Sequence, residues 1–432
     1  MKSRVAPAVG RALDSIAGGA LRAHRPFGLR FWDGSELPAL GGGGPTIVVS
    51  DPAALAHVAR EPNELGLGRA WVSGMLDIEG DLDAVLALRH EFQNLRVSAR
   101  DRLHAALLAL RVAGPQLLRR PPLPRAEARL SGRRHSLERD RDAVRHHYDV
   151  PESFYRLVLG PTLVYSCAYF DSPGDSLETA QERKLELVCR KLQLRSGDRL
   201  LDVGCGWGSL ILHAAIHHGV RAVGVTLSPA QADVARRRIR EAGAEDLCEV
   251  RVADYREVSD GPYDAIASIG MYEHVGRAEI AGYVRKLASL VRPGGLILNH
   301  GITRLTPGSR SNRTFIARFV FPDGELHHLT TVLRAMESTG LELRDVESLR
   351  EHYVLTLRRW VANLAANRAA AIEAADAERE RVWRLYMTAS ATGFEDGEIS
   401  VFQTLAAKPG AGRRLPLGRP ERATIGEAAT SE

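Results

Sequence analysis

Leu200-Leu201-Asp202-Val203-Gly204-Cys205-Gly206-Trp207-Gly208 sets an acid and three alternating glycines at the end of an apolar run. Glycine lets a backbone turn tightly and approach a ligand with no Cβ in the way. The next residues, 209–218, carry a helical pattern, so the turn delivers a strand into a helix N-terminus. Free N–H groups there can face an anionic group such as a carboxylate. The segment predicts a βα unit with a nucleotide-like ligand at the strand's end.

The pattern continues on the C-terminal side. Strands are predicted at 200–203, 222–227, 249–252, 263–269 and 296–299, and helices at 209–218 and 229–242, with Pro293-Gly294-Gly295 ending a further helix. The strand runs show little polar alternation, as expected of strands covered on both faces. The predicted fold is therefore α/β: a doubly wound, mostly parallel, seven-stranded Rossmann-like sheet. A helical stretch over 352–391 interrupts it before a closing strand at 399–406, and so late an insertion could cover the site as a lid.

The second strand separates two ligand classes that share a glycine-rich first turn. Dinucleotide enzymes place an acid at its end to hold the ribose hydroxyls. Here Val223-Gly224-Val225-Thr226-Leu227-Ser228 ends without a carboxylate, while Asp202 stands two residues before the first glycine. An acid there can order the glycine loop or reach a methionine amino group, which favours S-adenosylmethionine (SAM) and a methyltransferase sheet.

A chain of 432 residues with 44% hydrophobic content can build more than one domain. The order expected is a smaller α+β domain over 1–110, a basic Pro/Arg-rich linker over 111–138, the catalytic domain over 139–407 and a disordered tail over 408–432. In the first domain Thr46-Ile47-Val48-Val49 reads as a strand, 52–60 as a helix, and Glu64 to Trp71 as a turn leading into another helix. Between Arg111 and Arg145 ten arginines face four acids, a balance that suits an anionic surface or a solvated helix face. Val5, Val9, Leu13 and Ile16 would share one helical face with Arg4 and Arg11 opposite. That pattern fits an interfacial anchor or a short helix packed on its own domain, and Pro7 and Gly10 count against the helix.

Cys167, Cys189, Cys205 and Cys248 show no CxxC spacing, and no histidine stands at a metal-site interval from them, so no metal is expected. No apolar run approaches the ~18 to 20 residues of a membrane span. The expectation is a reduced, cytoplasmic protein whose membrane contact is peripheral. Nothing resembling a nucleic-acid recognition motif accompanies the basic run.

Four further segments carry a family resemblance: Arg145-His146-His147-Tyr148-Asp149-Val150, Val164-Tyr165-Ser166-Cys167-Ala168-Tyr169-Phe170, Gly270-Met271-Tyr272-Glu273-His274-Val275-Gly276 and Phe319-Val320-Phe321-Pro322-Asp323-Gly324-Glu325-Leu326. With the glycine loop, they resemble the cyclopropane fatty acid synthase and mycolic acid cyclopropane synthase family of SAM-dependent methyltransferases. The resemblance runs over 139–405. It extends more weakly to Gly66-Leu67-Gly68-Arg69-Ala70-Trp71 and Gly74.

The resemblance implies that Tyr165 and Ser166 contact the methionine part of SAM beside Asp202, Gly204, Gly206 and Gly208. Thr226, Leu227 and Gln231 would meet the ribose and adenosine, and Asp254 and Tyr255 would flank the adenine, although Tyr255 could equally be ordinary packing. It further implies a bicarbonate ion held by Cys167, Glu273, His300, a backbone group at Ile302, and Tyr353. Singly, Cys167, His300 and Tyr353 each have a packing explanation. Together, inside family motifs, they suit a reaction in which an alkene attacks the SAM methyl and the resulting carbocation loses a proton to a held base. Tyr169, Phe170, Tyr272, Phe315, Phe319 and Phe321 are candidates to face that cation, or to pack the core.

The implied activity is transfer of a methyl carbon to an unsaturated acyl chain of membrane phospholipid, giving a cyclopropane product, with the protein at the membrane's inner face and a homodimer possible. A 10-methylene or methyl-branched product is the alternative, and small-molecule N-methylation a more distant one. A catalytically silent binding protein on the same fold is a rival of another class.

Overall fold

In a computed structural model of the chain, residues 5–15, 24–93, 98–148, 150–305, 313–411 and 415 are described. Arg4, Ile16, Asp149 and nearly all of the expected tail beyond 411 lie outside them. The chain divides into two compact units, one of Met1–Arg129, Ser311–Val320 and Ala375–Thr392, the other of Leu130–Arg310, Phe321–Ala374 and Gly393–Glu432.

The first unit holds strands β1 (Gly28–Phe31), β2 (Glu36–Leu37), β3 (Thr46–Val49) and β4 (Leu76–Glu79) in the order β2-β1-β3-β4. A helix forms over Val5–Ser15 despite Pro7 and Gly10. It buries Val5 and Ala6 against Phe31, Val49, Ala54 and Ala70, so it packs on its own unit. The segment expected to be a turn before a helix is itself the helix Glu64–Val72, capped by Asn63. Its glycines serve close approach: a Cβ on Gly66 would meet the Glu61 carbonyl oxygen at 2.1 Å, and one on Gly68 the Phe315 ring at 2.4 Å.

Trp71 explains why 375–392 folds with this unit. Its Nε1 donates to the Arg381 carbonyl at 2.9 Å, and the Arg381 and Arg384 guanidiniums stack over the ring at 4.4 and 4.5 Å. The stretch expected to be a single helical insertion is three helices, Arg350–Ala366, Arg368–Ala374 and Ala377–Glu395, shared between the two units. Within the segment expected to be linker, Glu127 is only 3% exposed and accepts from both Arg69 and Arg318.

The second unit contains β5 (Arg199–Val203), β6 (Arg221–Thr226), β7 (Cys248–Val252), β8 (Tyr263–Ile269), β9 (Val291–Arg304), β10 (His327–His328), β11 (Glu342–Ser348) and β12 (Ile399–Ala407). The main order is β11-β12-β9-β8-β5-β6-β7, with β10 paired to β9. β5 to β9 run parallel, and β12 is antiparallel to both β9 and β11. This is the doubly wound, mostly parallel sheet expected. β9 is longer than predicted, since Pro293-Gly294-Gly295 lies inside it, and β11 had not been foreseen.

Neighbouring residues explain the lack of alternation. Leu200, Ala265, Leu296 and Leu298 pack on one face with Val188, Ile211 and Ala235. Leu201, Ile266 and Ile297 pack on the other with Val284, Leu287 and Met336. Both faces are covered, so polar chemistry is confined to the strand ends.

Two substitutions test the first unit. Glu127→Ala strands two guanidiniums beside a buried position and is expected to cost about 3–5 kcal/mol. Gly68→Ala forces a methyl against Phe315 and is expected to cost about 1–3 kcal/mol. Each should appear as a lower urea midpoint, and an unchanged midpoint in both would refute these packing roles.

Candidate active site

A cavity opens at the carboxyl ends of β5, β6 and β8, the switch point where open α/β sheets bind ligands. Tyr165, Ser166, Asp202, Gly204, Gly206, Thr226, Leu227, Gln231, Asp254 and Tyr255 all line it. Gly208 does not. It is the N-cap of the Ser209–His218 helix at φ 79°, where a Cβ would sit 3.0 Å from that of Ala235. The amides of Gly204 and Cys205 both donate to the Val225 carbonyl at 3.0 Å, and that of Gly208 to Cys205. The Gly204 and Cys205 amides thus lock the turn to β6, ahead of the helix start at Ser209.

Asp202 is 3% exposed, and its Oδ1 has no partner among the described residues. Burial pushes its pKa up to about 7, against the pull of Lys184. The Lys184 ammonium, itself buried, donates to Ser166 Oγ at 2.9 Å and is held down to about 8 by desolvation. An unpaired buried carboxylate beside a cavity is a ready acceptor for a ligand ammonium.

Across the cavity, Thr226 Oγ1 donates to Gln231 Oε1 at 2.7 Å and accepts from the Ser228 amide. The acid-free end of β6 is thus a neutral, prearranged pair. Asp254 is tied to Arg256 at 2.7 Å and caps the turn after β7, while Tyr255 packs edge-on against Tyr283. Tyr165 stacks on His147, with Tyr165 Oη and His147 Nε2 3.1 Å apart, and meets Trp360 at 5.4 Å.

Cys167, Glu273, His300, Ile302 and Tyr353 are not among the residues that line this cavity. Met271 and His274, flanking Tyr272-Glu273, line the cavity. Glu273 Oε1 accepts from the Ile302 amide at 2.7 Å, while its Oε2 is out of solvent and has no partner among the described residues. Burial pushes this carboxyl up to about 7. His300, two residues before Ile302 on β9, is 2% exposed, and neither ring nitrogen has a partner among the described residues. Burial, with Lys184 and Lys191 adding to it, holds His300 well below its usual pKa, so the ring is neutral, one nitrogen a donor and the other an acceptor.

Cys167 is fully buried, and its thiol donates to the carbonyls of Ala168 and Leu349 at 3.2 and 3.6 Å. Desolvation pushes the thiol far up, which rules out a standing thiolate. Leu349 is the N-cap of the Arg350–Ala366 helix that carries Tyr353, and the Ala168 amide donates to Thr356 one turn on. Tyr353 packs on Phe394 at 4.7 Å and Trp360 at 6.0 Å. Glu273 is thus joined directly to Ile302, and Cys167 to the start of the Tyr353 helix.

The aromatic candidates resolve into packing roles. Tyr272 lies over the Gly301 backbone, where a Cβ would approach its ring to 2.1 Å, and Tyr169 stacks on His352 at 4.5 Å. The Phe170 amide donates to His352 Nδ1, Phe321 packs on His147 at 4.2 Å, and Phe315 and Phe319 stack on each other in the first unit.

Sequence reasoning missed Lys184, Trp360 and Gln403. Lys184 occupies a core position of its helix, with Gln181, Leu185 and Val188 buried around it, so a lysine at apolar spacing was the overlooked signal. Gln403 pairs with His300 across the β9–β12 ladder, and both its amide atoms are buried and unpartnered. A polar residue inside an apolar closing strand was the signal there.

The profile of the mycolic acid cyclopropane synthetase family matches residues 135–404. A probable fatty acid methyltransferase of Mycobacterium tuberculosis is 41% identical over 379 residues, 85% of this chain and 88% of its own. A tuberculostearic acid methyltransferase of the same organism is 31% identical over 414 residues, 92% of each. The solved structure of the cyclopropane synthase MmaA2 from Mycobacterium tuberculosis superposes with a TM-score of 0.60 at 34% identity, covering 62% of this chain and 98% of that one. With the glycine turn and the acid-free β6, these similarities make the chain a member of the mycolic acid cyclopropane synthetase family, SAM-dependent methyltransferases that act on lipids.

Proposed function

We propose that this protein transfers the methyl carbon of SAM to the double bond of an unsaturated fatty acyl chain in membrane phospholipid, giving a cyclopropane fatty acyl product. The observation that carries the reading is the set of buried atoms on Glu273 and His300 that lack partners among the described residues, Glu273 standing in the chain between Met271 and His274 of the cavity lining. Buried polar atoms without partners are costly and point to a ligand that completes them. An acid and a neutral imidazole there fit bicarbonate, because Glu273 Oε2 can accept its O–H and one His300 nitrogen can donate to its oxygen.

SAM supplies an electrophilic methyl, and bound bicarbonate supplies the base for the proton that leaves. The protein's residues do the rest. Asp202 takes the methionine ammonium, and the Thr226-Gln231 pair faces the ribose. Tyr165, which lines the cavity, presents an aromatic face that excludes water and favours developing positive charge. The Ile302 amide fixes the Glu273 carboxylate, and His300 orients the base. Cys167 stays a thiol, so it does not compete for the methyl.

A second reading, a methyl-branched or 10-methylene acyl product, is favoured by the tuberculostearic acid methyltransferase similarity along almost the whole chain. It starts from the same carbocation: a 1,2-hydride shift brings the positive charge to the methyl-bearing carbon, loss of a proton from the added methyl gives the 10-methylene chain, and a separate reductant would be needed for the saturated methyl branch. For either product the acyl chain would be met at a membrane surface, and no helix among the described residues is long and apolar enough to cross a membrane.

Incubating the purified protein with SAM and oleoyl phospholipid vesicles should add one carbon to the acyl chain by mass spectrometry. Ring protons in the NMR spectrum would mean cyclopropane and vinylidene protons methylene; an unchanged acyl chain with SAM bound would sink the lipid reading. Glu273→Gln should slow turnover by roughly two to four orders of magnitude while sparing SAM affinity. Glu273 carries a raised pKa, so its protonated form stabilises the fold at low pH and that stability is lost as pH rises through about 7. The Gln variant should therefore melt higher than the parent at pH 8 and about equally at pH 5.

Protonation of Asp202 below about pH 7 should weaken SAM binding by up to about tenfold per pH unit. Calorimetry on Asp202→Asn should find weaker binding with that slope gone, and a retained slope would remove Asp202 from the ammonium site.

A further inference from the structure

We infer that Cys189, His213 and His218 form a zinc site in the second unit, separate from the cavity and the Glu273-His300 pair. Cys189 lies near the end of the Leu177–Lys191 helix, and both histidines lie on Ser209–His218, the helix that follows the glycine turn. The thiol sulfur and one ring nitrogen from each histidine all lie within 4.8 Å of one another. A tetrahedral Zn²⁺ with bonds of about 2.0–2.3 Å needs ligand atoms roughly 3.3–3.8 Å apart. Side-chain rotation of about an ångström closes that gap without moving either helix.

The surroundings favour a cation. Glu186, one turn before Cys189, places Oε2 3.2 Å from His213 Nε2 and 2.9 Å from His218 Nε2. A carboxylate gripping both imidazoles is the arrangement that fixes the tautomer and ring direction of ligating histidines. A Cys189 thiolate would offset part of a divalent ion's charge, while Glu186, whose Oε1 also accepts from Arg190 at 2.8 Å, stays in place beside both rings. The donor set selects its class as well: sulfur with two imidazoles suits Zn²⁺ or Co²⁺, whereas Mg²⁺ and Ca²⁺ take oxygen.

Access and support are both present. Cys189 is fully buried among Val188, Leu210 and Ile211, but the side chains of His213, His218 and Glu186 are 13, 17 and 29% exposed, so an ion can enter from solvent. Burial holds the Cys189 thiol protonated, so binding must release a proton and tighten as pH rises. Zinc here would staple the helix carrying Lys184 to the one behind the glycine turn, a structural role for residues that the methyl transfer does not use.

The test uses the untagged full chain stripped with a chelator. Titrated with Zn²⁺ against a chromophoric chelator, it should take up one equivalent and melt at a higher temperature. Co²⁺ in place of Zn²⁺ should give a thiolate-to-metal charge-transfer band that Cys189→Ser abolishes. His218→Ala, at a partly exposed position, should lower Zn²⁺ affinity at least 100-fold, and Glu186→Gln roughly 10- to 100-fold, with SAM binding reporting that each variant is folded. Uptake below one equivalent, a cobalt complex without the thiolate band, or wild-type affinity in His218→Ala would each overturn the site. Metal binding is read directly, so a failure of the proposed lipid activity leaves this result standing.

Discussion

Leu200 and Leu201 face opposite sides of one sheet, and both are fully buried; Ala265 with Ile266, and Leu296 with Ile297, repeat the arrangement. A sheet covered on both faces offers water and ligands only its strand ends. At those ends the chain places an acid, three glycines and a neutral Thr226-Gln231 pair on β5 and β6, and the Glu273-His300 groups on the β8 end and β9. The Gly204 and Cys205 amides, bonded to the Val225 carbonyl, hold the first of these turns to its neighbour strand. The site is therefore rigid because the sheet beneath it is.

The same burial sets the electrostatics. Asp202 and Glu273 are pushed up to about 7 and Lys184 down to about 8 by one cause, the loss of water around the charged form. Asp202 and Glu273 each keep one buried oxygen without a partner among the described residues, whereas Lys184 donates to Ser166, and such shifted groups cluster at functional sites. Cys167 shows the opposite outcome: it too is desolvated, but its hydrogen is taken by backbone carbonyls, so it packs the segment against the Tyr353 helix and stays unreactive.

Much of this was legible in the linear chain. Helix 209–218 stood where it was expected, and the β8 boundaries matched, because apolar runs between glycines and prolines mark strands whatever surrounds them. Errors arose where a residue's role depends on a distant partner. Gly66 and Gly68 looked like a turn because glycine usually is one, whereas here they let a helix approach Glu61 and Phe315.

By itself the sequence determined the α/β class and the glycine turn that ends β5, since these follow from local periodicity and from glycines at positive φ. Only the tertiary structure decided which chain segments belong to which unit, with Arg381 and Arg384 clasping Trp71 from more than 300 positions away. It also decided which polar atoms are satisfied. Gln403 beside His300, Lys184 against Ser166, and Cys189 near His213 and His218 come together by packing between elements, and such long-range proximity leaves no periodic trace in the chain.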